Sequence, residues 1–132
     1  MIVDLKGGKK MKYIKLSDSE IKFMNLIWDK APINSTELAR MVHEELGWKK
    51  STTYTVLKRL SQRGIVKNEE TMVCWLVKRE EVQQVKSEEL LSKVYDGSIK
   101  MFLASFLQKE KISEGEAAEL KKIIDEYTQK EE

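Results

Sequence analysis

At Gly64 the hydrophobic period of the chain changes, and no other feature constrains the fold as much. Upstream, apolar residues recur at helical spacing in three short segments, each with its own start or stop signal. The first opens with Ser17-Asp18-Ser19-Glu20, a capping box: the Ser17 hydroxyl accepts from the Glu20 N–H and the Glu20 carboxylate reaches back. Ile21, Met24, Ile27 and Trp28 follow at helical spacing, and Pro32 ends the helix by disfavouring helical geometry at Ala31. A second helix is expected from Asn34 or Ser35, with Glu37 placed for capping and Leu38, Met41, Val42 and Leu46 facing inward. Gly47 stops it. The third, residues 51–63, has a narrow inner stripe of Val56, Leu57 and Leu60, with Thr53 beside it and Gly64 as its stop.

Beyond Gly64, Ile65–Asn68 and Met72–Val77 are β-prone runs around Glu69-Glu70-Thr71, which predicts a β-hairpin. Ile65, Val66 and Trp75 are expected to pack on the core. Three short helices followed by a hairpin is the order of a winged helix-turn-helix module. The expected fold class is therefore mainly α with a small β-hairpin, followed by an α-helical C-terminal domain. Three further helices are expected there. Val82, Val85, Leu90, Leu91, Val94 and Tyr95 share the first, which breaks at Asp96-Gly97. Ile99, Phe102, Leu103 and Phe106 mark the second, and Leu120, Ile123, Ile124 and Tyr127 the third, after a capping pattern at Ser113–Glu116. Fifty or so residues bury too little surface to be comfortably stable alone. Leu91, Val94, Tyr95 and the apolar positions of the last two helices are therefore candidates for dimerisation, in which the stripes of two copies cover one another. The expected organisation is a flexible N-terminal extension at 1–12, a DNA-binding domain at 13–78 and a dimerisation domain at 79–132.

Charge divides the same way. Residues 1–78 hold 15 Lys/Arg against nine Asp/Glu, whereas the remainder is net acidic, within a chain of net charge +2. A basic half joined to an acidic one suggests that only the first meets a polyanion. The third helix concentrates this signal. Lys49, Lys50, Lys58, Arg59 and Arg63 lie in or beside it, without an acid between them. Ordinary surface helices mix Glu with Lys for pairing and solubility. On a helical wheel Ser51, Thr55, Lys58 and Gln62 form the face opposite the apolar stripe, flanked by Tyr54 and Arg59. Small residues at the leading end let a helix enter the major groove, hydroxyls reach phosphates or base edges, and cations neutralise phosphates. Backbone N–H groups at the helix start add a phosphate site. Lys67 and Asn68 on the hairpin are candidates for contacts at the edge of such a site, whereas Glu69 and Glu70 suit a tip that engages DNA weakly.

Other chemistry is poorly supplied. The chain has one cysteine, Cys74, and one histidine, His43, so no disulfide and no metal cluster forms within one chain, and no phosphate loop or catalytic set is evident. No cofactor and no small-molecule ligand are expected. No run approaches a membrane span and no signal peptide opens the chain, so the expected localisation is cytoplasmic.

Three segments resemble the penicillinase-repressor family, the BlaI/MecI/CopY group. Leu16-Ser-Asp-Ser-Glu-Ile-Lys-Phe-Met-Asn-Leu-Ile-Trp28 is similar to its first helix. Ser51-Thr-Thr-Tyr-Thr-Val-Leu-Lys-Arg-Leu60 is similar to its recognition helix, and Leu90-Leu-Ser-Lys-Val-Tyr-Asp-Gly-Ser98 to its junction between C-terminal helices. The resemblance covers about Lys15 to Tyr127. It implies a homodimeric winged-helix repressor of a double-stranded operator, with Thr52, Thr55, Lys58 and Arg59 at recognition-helix positions. The wheel places Thr52 off the exposed centre, which suits a phosphate contact. Copper-responsive members carry paired Cys-x-Cys motifs, which this chain lacks. β-Lactam-responsive members are cut at an Asn-Phe bond through a membrane sensor protease, which the resemblance implies as a partner. Here Ser105-Phe106 stands at that place, with Ser replacing Asn, and Phe106 equally fits a plain core role. The other reading of the module is a protein-interaction adaptor whose basic face meets an acidic partner.

Overall fold

The computed structural model describes residues 14–129. The N-terminal extension expected at 1–12 lies outside them. Local capping sets the element boundaries. Helix α1 (Asp18–Lys30) begins at Ser17, where both bonds of the capping box form: Ser17 Oγ accepts from the Glu20 N–H at 3.2 Å, and Glu20 Oε1 accepts from the Ser17 N–H at 2.9 Å. It ends at Ala31, before Pro32. Helix α2 (Ser35–Leu46) is capped by Asn34, whose side chain accepts from the Thr36 N–H at 2.8 Å. Glu37 therefore has no part in the cap and pairs with Arg40 instead. Gly47, at φ 74°, closes α2 in the left-handed region that only glycine enters without strain.

Between α1 and α2 lies β1 (Ile33–Asn34), and after α3 (Lys50–Gln62) come β2 (Val66–Glu69) and β3 (Met72–Trp75). The sheet is antiparallel with order β1-β3-β2. The sequence predicts the hairpin but not β1, which is too short to show a two-residue period. The hairpin turn is Glu70-Thr71, both at positive φ, and its register pairs Glu69 with Met72.

The core under this sheet holds Leu16, Phe23, Met24, Ile27, Leu38, Val42, Leu57, Leu60, Ile65, Val66, Val73 and Val77, all fully buried. Trp75, expected inside, is 39% exposed. Val77 is the residue fully buried at this end, where the N–H groups of Leu76 and Val77 both donate to the Ile65 carbonyl. Trp28 closes this end by donating its indole N–H to the Val77 carbonyl at 2.9 Å, and Arg79 lies over the Trp28 ring, bonded to Asp29.

The chain divides into two compact units at Glu89–Leu90, within α4 (Arg79–Val94). The start of α4 belongs to the first unit, where Val82 is buried in the core and Val85 packs against it. This division falls later than the boundary after residue 78 that the sequence suggests. Helix α4 ends before Asp96 and Gly97, both at positive φ. The second unit contains α5 (Ile99–Lys109), capped by Ser98, and α6 (Glu114–Tyr127), capped by Ser113. Tyr95 meets Phe102 edge to face, and Phe102 stacks on Phe106 at 5.9 Å. Even so, no residue of α5 or α6 is buried.

Candidate nucleic-acid interface

Helix α3 is seated by its inner stripe. Val56, Leu57, Leu60 and Thr53 are buried, and Gly64 at φ 75° returns the chain so that Ile65 and Val66 lock the helix to the sheet. The turn from α2 is fixed by Trp48, whose ring stacks on Phe23 at 5.4 Å and whose carbonyl lies 3.1 Å from His43 Nδ1. Helix, turn and helix are thus held against α1, and one side of α3 remains open.

That side carries what the wheel predicts. Lys49, Lys50, Ser51, Thr52, Thr55, Lys58 and Gln62 are all exposed. Among the described residues no acid forms an ion pair with Lys49, Lys50 or Lys58. Tyr54 is half-buried, with the Lys50 ammonium 5.9 Å from its ring centre. The N-cap position of α3 is Lys49, which makes no side-chain capping bond, unlike the caps of α1, α2, α5 and α6. Its first-turn N–H groups are therefore not claimed by a capping side chain. Thr55 donates its hydroxyl to the Ser51 carbonyl at 2.9 Å, so towards a partner it offers a methyl group and an acceptor oxygen rather than a donor.

Two of the expected free cations have acidic partners. Arg59 donates from Nε and Nη2 to Glu20 Oε2 at 3.3 and 3.2 Å, and Arg63 donates from Nη1 to the same oxygen at 3.4 Å. Arg63 also bonds the Lys15 carbonyl. The acid absent from α3 is supplied by α1. Burial alone would raise the Glu20 pKa. The Ser17 N–H, the charge of Arg63, and the hydrogen bond and charge of Arg59 outweigh that and hold it below the ordinary carboxylate value. The sequence does not point to Glu20 as part of this face, because the capping box already accounts for it. On the wing, Lys67 pairs with Glu69 at 3.1 Å, so this expected phosphate contact is partly neutralised by its own strand.

Among the described residues, no group of three or more His, Cys, Asp or Glu side chains is placed to hold a metal ion, and no helix is long and apolar enough to cross a membrane. The open groove between α2 and the start of α3 is lined by Thr36, Glu37, Ala39, Arg40, His43, Lys49 and Lys50. Arg40 is paired there with Glu37 and Glu44, so Lys49 and Lys50 alone extend the basic face into it.

A helix-turn-helix braced by a short three-stranded sheet, with an exposed, acid-free second helix, defines the winged-helix class of DNA-binding regulators. The chain matches the penicillinase repressor family model over residues 16–126, and it belongs to that family, whose members are transcriptional repressors and not enzymes. It is 26% identical over 117 residues to the penicillinase repressor of Bacillus licheniformis, across 86% of this chain and 91% of that one. It is also 26% identical over 117 residues to the methicillin resistance regulatory protein MecI of Staphylococcus aureus, across 86% of this chain and 95% of that one. Among solved structures it is similar to the DNA-binding domain of the repressor BlaI, with 28% identity, a TM-score of 0.47 and coverage of 54% of this chain and 93% of that one.

Proposed function

We propose that this repressor acts in the cytoplasm as a homodimer on a palindromic operator, and that proteolysis in the C-terminal unit releases it. The observation that carries the DNA reading is the outer face of α3. Ser51, Thr52, Thr55, Lys58 and Gln62 stand exposed together, with no acid on the helix and no capping side chain at its start. Each subunit places α3 in one major groove, so the half-sites lie about one helical turn, roughly 34 Å, or a multiple of it apart.

The dimer reading draws on the second unit. Val94, Ile99, Phe106, Leu120, Ile123, Ile124 and Tyr127 are exposed there, between 39% and 82%. Exposed apolar stripes of this extent suit an interface between copies. The release reading draws on the place of Ser105-Phe106 within α5, where a cut would divide one of the apolar helices of the proposed interface.

The test is operator selection from a random duplex pool, followed by titration of Lys58→Ala at fixed salt. Lys58 makes no ion pair among the described residues. Its loss should weaken operator binding about tenfold while leaving self-association unchanged. A chain that selects no palindrome, or a Lys58→Ala variant that binds like wild type, would overturn the assignment.

A further inference from the structure

The arrangement around Glu20 goes beyond an ordinary ion pair. The carboxylate is 8% exposed, whereas the Arg59 side chain that it holds is 51% exposed. Glu20 takes the inner edge of the guanidinium, bonding Nε and Nη2. A guanidinium has five N–H donors in a rigid fork, and two are used here. Nη1 and the second hydrogen of Nη2 form the opposite edge, and Nη1 takes no part in the bonds to Glu20. Arg59 directly follows Lys58 and lies one turn from Thr55, so this outer edge stands at the flank of the exposed face of α3. Glu20 itself cannot easily move. Its Oε1 accepts from the Ser17 N–H, and Arg63, anchored to the Lys15 carbonyl, holds Oε2 from the other side.

We propose that Glu20 is a positioning residue for DNA recognition: it grips one edge of Arg59 and presents the other, preorganised, to a pair of hydrogen-bond acceptors on the operator. This inference rests on the DNA reading above. The physical reason is entropic. An arginine on a mobile stem must be ordered when it binds, and a guanidinium already held by a buried carboxylate has less freedom to lose. The acceptor pair is either the O6/N7 edge of a guanine or two phosphate oxygens, both of which match the fork.

Charge and positioning predict opposite results for one substitution. Glu20→Gln preserves the capping geometry, because glutamine serves at that position of a capping box. It also raises the net charge of the DNA-binding face by one, which by electrostatics alone tightens binding to any duplex. If Glu20 positions Arg59, operator affinity instead falls about tenfold at fixed salt. Arg59→Lys keeps the charge but has no second edge, and it should lose a similar factor. The double variant should lose no more than either single variant, because the two residues act as one device.

Titration of wild type, Glu20→Gln, Arg59→Lys and the double variant on operator and on random duplex decides the matter, at a temperature where circular dichroism shows all four folded. A loss confined to operator indicates a guanine edge, and an equal loss on both duplexes indicates phosphate. Unchanged or tighter operator binding by Glu20→Gln, or additive losses in the double variant, would overturn the proposal. Wild type that binds neither duplex would instead overturn the DNA reading itself.

Discussion

Glu20 and Phe23 show how single residues carry more than their sequence signal. Phe23 is fully buried and stacks on Trp48, yet it lies outside the stripe of Ile21, Met24, Ile27 and Trp28 read from spacing. A narrow stripe suits a helix with one neighbour. Helix α1 is packed by both α2 and β3, so its apolar arc is wider than one stripe. Phe23→Ala should cost about 3–5 kcal/mol in urea unfolding, through the cavity and the loss of the ring beneath the α2–α3 turn. Glu20 was legible as a cap and illegible as an ion-pair partner, because Arg59 and Arg63 lie 39 and 43 residues away along the chain. Its pH dependence follows from the sign of its shift. The folded pKa lies below the ordinary value of 4.5, so its stabilisation is fully present above that value and is lost as pH falls through the folded pKa. Melting temperatures of wild type and Glu20→Gln should differ near about pH 7 and converge as acid carries the pH below the folded pKa of Glu20. A gap that stayed constant down through acid unfolding would mean that the carboxylate charge contributes nothing.

The elements with strong local signals were all legible. Helices α1, α2 and α6 were announced by the capping residues Ser17, Asn34 and Ser113, and α5, whose cap is Ser98, by its apolar spacing alone. The hairpin was legible from its β-prone runs, whereas β1 and the exposed Trp75 were not, because tertiary context alone sets them. Strand β1 exists by pairing with β3, and beyond the hairpin Val77 rather than Trp75 is fully buried. The hairpin turn adds a testable detail. Glu70 at φ 49° and Thr71 at φ 66° occupy left-handed positions that favour Asn-Gly in two-residue turns, and a β-branched residue is strained there. Thr71 has a compensating role: its carbonyl accepts from the Ser35 N–H at 2.7 Å and its hydroxyl accepts from Asn34 Nδ2 at 3.2 Å, tying the wing to the start of α2. Glu70→Asn should therefore stabilise the protein by about 0.5–1 kcal/mol in urea unfolding. Thr71→Gly should gain less, because it relieves the backbone but loses the bond from Asn34.

At the scale of the whole molecule, the proposed mechanism divides recognition from affinity between the two units. The first presents one basic helix, and a single half-site held by one such helix binds weakly. Linking two copies makes the second contact effectively intramolecular, which can raise overall affinity by about 10²–10⁴-fold without any new contact. Under the proposed mechanism that gain depends on apolar surface in the second unit, where no described residue of α5 or α6 is fully buried. Cleavage between Ser105 and Phe106 cuts α5 within its span and removes Phe106 from its stack on Phe102, together with all of α6. The chain ending at Ser105 should sediment as a monomer at concentrations where the full chain is a dimer. Its operator affinity should fall by at least about 10²-fold. Lys58→Ala separates the two functions, because it should reduce operator binding and leave the sedimentation of the full chain unchanged. If the chain ending at Ser105 kept both its dimer and its operator affinity, cutting at this bond could not act as the switch.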